Sequence, residues 1–256
     1  MNRIKQLGIL ILCSLIVLTS QGIPQKKEIK FLSGTDNEHT VTWDFFCTSG
    51  RKSNVWTTIE VPSCWEQQGF GEYDYGRDYR TYGKKFKFAN ETGIYKHNFT
   101  VPENWEGKRI YLVFEGAMTD TEVEINGQSA GEMHQGSFYR FRYDITDKLK
   151  SDENMLKVTV HKMSSNKSVN RAERYADYWI FGGIFRPVYL EAVPQTFIDR
   201  VAIDAQADGS FSMQAFPVNI QSKSKIVAKI IDNNGKVVKT CESKVKKGNS
   251  KVVLSC

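Results

Sequence analysis

Short runs of alternating apolar and polar residues, each closed by a turn signal, follow one another down this chain, and strand–helix alternation is found nowhere along it. Trp43–Cys47, Val55–Val61, Gly93–Val101, Thr121–Ile125, Phe138–Ile145 and Met155–His161 read as strands. Asn126-Gly127 is the strongest hairpin signal among them. Arg109–Glu115 is apolar on both faces, which predicts a central strand covered from both sides. Successive strand side chains point to opposite faces, so strands with one apolar face must stack as two layers. The pattern therefore predicts an all-β sandwich or jelly roll. Glu66–Tyr82 has no period and reads as loop, and so does the long polar connection Ser164–Tyr178. After Pro194–Thr196, five more strands are expected at Phe197–Ala205, Phe211–Ile220, Ile226–Ile231, Val237–Cys241 and Val252–Leu254, with a hairpin turn at Asp232–Gly235.

The N-terminus carries a different signal. Arg3 and Lys5 precede the apolar run Leu7–Leu18, which is too short to span a bilayer, and Ser20-Gln21-Gly22 supplies small residues for cleavage. Residues 1–22 read as a secretory signal peptide, which predicts export to the periplasm or the medium. Leu12 before Cys13 fits a lipoprotein processing site poorly, so no membrane anchor is expected, and residues 23–40 read as a polar, loosely held extension. Cys47, Cys64, Cys241 and Cys256 remain after cleavage, open to three pairings or to none. No Cys-x-x-Cys pair occurs, which argues against zinc. The net charge of +6 is mild, and the basic residues from Lys223 to Lys251 mostly alternate with apolar ones, as on the wet face of a strand. That pattern does not suggest a nucleic-acid partner.

One stretch stands out for function. Tyr175–Phe181 packs aromatics around one carboxylate, Gly182-Gly183 follows, and Ile184–Leu190 reads as a strand with Ile184, Arg186, Val188 and Leu190 on one face. Pro187 cannot donate to a ladder, which predicts an edge strand or a bulge there. A carboxylate accepts hydrogen bonds from paired hydroxyls, and ring faces stack on the C–H side of a pyranose. The plainer alternative makes Trp179 and Phe181 core residues and Asp177 a solvated acid.

Asp177-Tyr178-Trp179 followed by Gly182-Gly183-Ile184-Phe185-Arg186-Pro187-Val188 resembles the end of the N-terminal jelly roll in glycoside hydrolase family 2, which includes β-galactosidases, β-glucuronidases and β-mannosidases. Val61-Pro62 with Trp65, Gly93-Ile94-Tyr95, the turn from Val101-Pro102 to Trp105, Ile110–Phe114, Asn126-Gly127, Asp144-Ile145-Thr146 and Asn154-Met155-Leu156 occur in the family's order. The resemblance implies a galactose-binding-like jelly-roll β-sandwich over 41–195, followed over 196–256 by a partial immunoglobulin-like β-sandwich. It marks Asp177 as a contact to the terminal sugar and to a sodium ion, with Trp179 and Tyr178 beside it as further substrate-binding candidates. Trp179 and Arg186 also have a plainer role, in packing and sheet-edge hydrogen bonding.

The family's two catalytic glutamates stand on a TIM barrel beyond these domains, and a barrel takes about 250 residues. No catalytic residue is therefore assigned to this chain, and no cofactor beyond the sodium that the resemblance implies. His39, His97, His134 and His161 are isolated, and no nucleophile elbow or phosphate loop occurs. Two readings follow. In the first, the chain is the non-catalytic front of an exo-acting β-glycosidase that binds a β-galactoside or β-glucuronide and needs the missing catalytic barrel. In the second, it is a stand-alone carbohydrate-binding module. A barrel encoded after Cys256 discriminates them.

Overall fold

The computed structural model describes residues 27–83, 85–221 and 223–255, so the leader assigned to 1–22 and its cleavage site lie outside the described residues. In chain order the strands are β1 (Glu28–Phe31), β2 (Val41–Cys47), β3 (Trp56–Val61), β4 (Asp74–Tyr75), β5 (Thr92–Thr100), β6 (Arg109–Phe114), β7 (Asp120–Ile125), β8 (Gln128–Ser129), β9 (Phe141–Asp144), β10 (Glu153–His161), β11 (Trp179–Ile180), β12 (Val188–Val193), β13 (Phe197–Ala205), β14 (Phe211–Val218), β15 (Ser224–Ile231), β16 (Val237–Val245) and β17 (Val252–Ser255). Two short helices interrupt them, α1 (Asp78–Thr81) and α2 (Lys167–Glu173).

Two antiparallel sheets make the jelly roll, a four-stranded one in the order β1-β12-β6-β9 and a six-stranded one in the order β3-β2-β5-β10-β7-β8. The alternation seen in sequence sets what lies between them. Trp43 and Phe45 of β2, Leu112 and Phe114 of β6, Leu156 and Val158 of β10, and Val188 and Leu190 of β12 share one fully desolvated core. As expected, β6 is buried on both faces. Its outer residues Tyr111 and Val113 join Tyr189 and Val193 in a second cluster, against which Phe197 packs. On the same outer face Glu191 is almost fully buried and holds Lys27 at 2.5 Å, Arg140 at 3.1 Å and Arg142 at 3.5 Å.

The remaining strands form a three-stranded sheet, β13-β14-β17, and a hairpin, β15-β16. Met213, Ala215, Ile226, Cys241, Val245, Val252 and Leu254 make their shared core. Arg142 pairs with Asp199, which ties this part to the jelly roll. Cys241 is disulfide-bonded, whereas Cys47 and Cys64 are free. Burial pushes the Cys64 thiol up to about 12, so it stays protonated at neutral pH. Among the described residues, no helix is long and apolar enough to cross a membrane.

Four expectations change. Part of the segment read as a loose extension is structural: β1 pairs with β12 from Glu28↔Ala192 to Phe31↔Tyr189. Leu32 and Ser33 are buried just after it, Trp43 Nε1 donates to Leu32 O at 3.1 Å, and Val188 N donates to Ser33 Oγ at 2.8 Å. The β1–β12 ladder and the Ser33–Val188 bond were invisible because their partners lie about 150 residues away in sequence. The strand expected from Ile184 begins only at Val188, and β12 is interior, between β1 and β6. Pro187 therefore sits just before the ladder, where no N–H is needed, rather than on an edge. The connection 164–178 contains α2, capped by Asn166, whose Oδ1 accepts from Ser168 N at 3.0 Å. The loop 66–82 likewise carries β4, α1 and a 3-10 turn over Trp65–Gln68.

Candidate functional site

The loop 66–82 and the loop 174–182 are fastened together at one end of the jelly roll. Tyr75 lies opposite Trp179 and Asp74 opposite Ile180 in the β4–β11 pair, and Gly76 N donates to Tyr178 O at 2.9 Å. Only a glycine permits this closure, since a Cβ at Gly76 would stand 2.3 Å from Ala176 O and 2.6 Å from Arg174 O. Gly182 meets the same limit against Trp65, whose ring would lie 2.1 Å from an added Cβ.

This closure displays the residues singled out from sequence. Asp177 is 58% exposed, with Oδ1 2.7 Å from Arg77 Nε. Trp179 is 54% exposed, so it is a surface ring and not a core residue. It meets Tyr75 at 5.5 Å and Tyr73 at 6.0 Å, both edge-on, and Phe181 meets Tyr73 at 6.0 Å. The Arg51 guanidinium lies over Tyr73, 4.9 Å from the ring centre. Tyr178 is also exposed, and partial burial raises its phenol above the usual range. Arg186 has the plainer role: it reaches the carbonyls of Phe138 at 3.3 Å and Glu115 at 3.4 Å. The arrangement is an aromatic wall beside an exposed carboxylate. Among the described residues, no three His, Cys, Asp or Glu side chains converge as a metal site. A carboxylate paired to a guanidinium is a poor cradle for sodium.

Behind the wall lies a charged network that sequence reading missed. Lys162 is fully buried, with Nζ 3.0 Å from Glu66 Oε1 and 3.4 Å from Glu91 Oε2, and it donates to Glu72 O. Gly182 N donates to both Glu66 oxygens at 3.1 Å, and Glu72 N donates to Glu91. Arg174, also buried, donates to Phe181 O at 3.0 Å and to Thr119 Oγ1. Burial pulls this guanidinium down to about 10, and burial pushes the Glu66 carboxyl up against the opposing pull of Lys162. Both loops that carry the wall are therefore bonded to a desolvated charge cluster. One signal was available: Asn154, Leu156, Val158 and Val160 are the inward phase of β10, and Lys162 continues it.

Residues 42–194, more than half of the chain, match the family described as glycosyl hydrolases family 2, sugar binding domain. The chain belongs to glycosyl hydrolase family 2. Over 167 residues it is 31% identical to a β-galactosidase of Thermoanaerobacter pseudethanolicus, covering 62% of this chain and 22% of that relative. Over 190 residues it is 31% identical to a β-galactosidase of Clostridium acetobutylicum, covering 71% of this chain and 20% of that relative. A calcium-binding mutant of Bacteroides uniformis β-glucuronidase 2 shares the fold, with a TM-score of 0.65 at 20% identity over 90% of this chain and 28% of that one. The chain spans about a fifth of the length of the curated relatives it matches. The span matched to the family 2 sugar-binding domain contains Asp177, Trp179, Tyr178 and every member of the buried network.

Proposed function

We propose that this chain is the sugar-recognition end of an exo-acting β-glycosidase of the galactosidase or glucuronidase type, with Asp177 gripping hydroxyls of the terminal sugar and the catalytic glutamates on a barrel outside this sequence. The observation that carries the reading is the placement of Asp177. An exposed carboxylate stands two residues before an exposed tryptophan, on loops anchored to a buried ion cluster. A group meant only for solvation needs no such support. A site that must hold its geometry does. Trp179 supplies a face for the C–H side of the sugar and Tyr178 a neighbouring phenol. Export belongs to the same reading, and the disulfide at Cys241 supports it, since such bonds persist in oxidising compartments. The exported protein should begin near Ile23.

The test is Asp177→Ala in the intact enzyme, assayed with chromogenic β-galactoside and β-glucuronide. Loss of charge-assisted hydrogen bonds to the sugar should lower kcat/KM about thirty- to thousand-fold, with Tm unchanged. An unchanged kcat/KM would leave the stretch as packing alone.

A further inference from the structure

The loop that carries Arg77 does more than reach Asp177. From Arg77 to Phe88 the sequence has five cationic residues against one acid, interleaved with Tyr79, Tyr82, Phe86 and Phe88. In the fold these four rings and Tyr175 form one continuous patch. Tyr82 stacks on Phe86 at 5.6 Å, Phe86 meets Phe88 edge-on at 5.2 Å, and Phe88 stacks on Tyr175 at 5.4 Å. Tyr79 leans on Tyr175 at 5.7 Å. The patch is no core: Tyr82 is 68% and Tyr175 41% exposed. Arg80, Lys85 and Lys87 are exposed on the same loop, with Arg80 5.7 Å from the Tyr79 ring centre and donating to its hydroxyl at 3.0 Å.

A cluster of exposed rings on a surface loop marks contact with something. Two features say what. Ring faces with cations beside them suit a ligand that offers C–H faces and negative charge together. The patch also shares its two loops with the sugar-facing carboxylate, since Tyr175 lies two residues before Asp177 and Arg77 precedes α1. We infer that the patch is a second sugar subsite, which takes the anionic glycan chain attached to the terminal sugar, a uronate- or sulfate-bearing oligosaccharide. This rests on the reading that Asp177 faces that terminal sugar. Stacking rings with cations also suit single-stranded nucleic acid. The loops it shares with the Asp177 wall favour the glycan.

The test is calorimetric titration of the full chain with oligosaccharides of equal length: a polyuronate, a sulfated galactan and a neutral galactan, with oligo-dT as a fourth arm. At least one acidic glycan should bind about tenfold or more tightly than the neutral one, and added salt should weaken it. Binding of the polyuronate alone assigns the site to carboxylates, of the sulfated galactan alone to sulfates, and of both to charge itself. Tyr82→Ser, and separately Lys85→Ser with Lys87→Ser, should each weaken binding about tenfold with Tm unchanged, because these side chains are exposed. Absence of acidic-glycan binding, equal affinity for the neutral chain, indifference to these variants, or tighter binding of oligo-dT overturns the subsite. Asp177→Ala, which acts on the terminal sugar shared by all three glycans, should leave the preference for the acidic over the neutral chain and its salt dependence unchanged. The subsite can therefore fail while the kinetic result at Asp177 stands, and the reverse also holds.

Discussion

In β10 the inward residues Asn154, Leu156, Val158 and Val160 are buried, whereas in β13 every residue after Phe197 is exposed. Both strands belong to antiparallel sheets, and both have apolar residues at strand spacing. The difference is what stands across from them. Residues 28–193 place one sheet over another and close the space between with Trp43, Trp65, Phe45 and Tyr95. Residues 197–255 leave Ile198, Val201 and Ile203 of β13, Val227 and Ile231 of β15, and Val237 and Val238 of β16 open to solvent. Alternation is a property of the strand, but burial is a property of the layer that packs on it. The first region also contains what alternation cannot provide, a desolvated charge cluster under its exposed aromatic wall.

The largest expected contrast follows from that cluster. Lys162→Met strands Glu66 and Glu91 without their cation and should cost about 3–5 kcal/mol in urea unfolding. The matched change in the other region, Lys225→Met beside Glu242, breaks an exposed pair and should cost about 0.2–1 kcal/mol. Similar losses at both positions would break the comparison. A smaller contrast concerns apolar burial. Leu156→Ala should destabilise by about 2–5 kcal/mol, while Ile203→Ala should stay within about 0.5 kcal/mol. Thermal unfolding of both variants measures it.

Much of this architecture was legible. The two-faced apolar run at Ile110–Phe114 announced a central strand, Asn126-Gly127 announced the β7–β8 turn, and each of the five later strands lies where its alternation put it. Asp177 and Trp179 were legible as a motif, and both side chains are exposed, one just before β11 and one in it. The buried network was not legible, because Glu66, Glu91, Lys162 and Arg174 are scattered over about 110 residues and each alone reads as a surface charge. Likewise β1 carries no strong pattern of its own. Its place is set by pairing with β12, a long-range bond that no local window contains.

Acid sharpens the comparison further. Burial holds His97, stacked on Trp43, and His134, stacked on Phe141, below the ordinary value of 6.5. A depressed folded pKa means that their contribution is complete above 6.5 and is lost as pH falls through the folded values. Burial alone would raise Asp120 and Asp144. Hydrogen bonds win, from Ser164, Ser165 and Gln135 to the first and from Thr146 and Arg109 to the second, and hold both below 3.8. A second loss should therefore follow as pH drops below that value. Residues 197–255 contain no histidine. Hydrogen exchange corrected for intrinsic rates should show β10 amides losing protection between pH 7 and 5 more than β14 amides. His97→Gln with His134→Gln should flatten that difference, and equal losses in β10 and β14 would contradict it.

The most direct test of the site uses two carboxylates that each pair with an arginine. Asp177 pairs with Arg77 on the aromatic wall, and Asp199 pairs with Arg142 at the junction with β13. Each is replaced by alanine in the intact enzyme, and kcat/KM is measured for the β-galactoside and the β-glucuronide, with Tm as the control. The account predicts a loss of about thirty- to thousand-fold for Asp177→Ala and none for Asp199→Ala. Equal kinetics in the two variants, or a loss confined to Asp199→Ala, would contradict it.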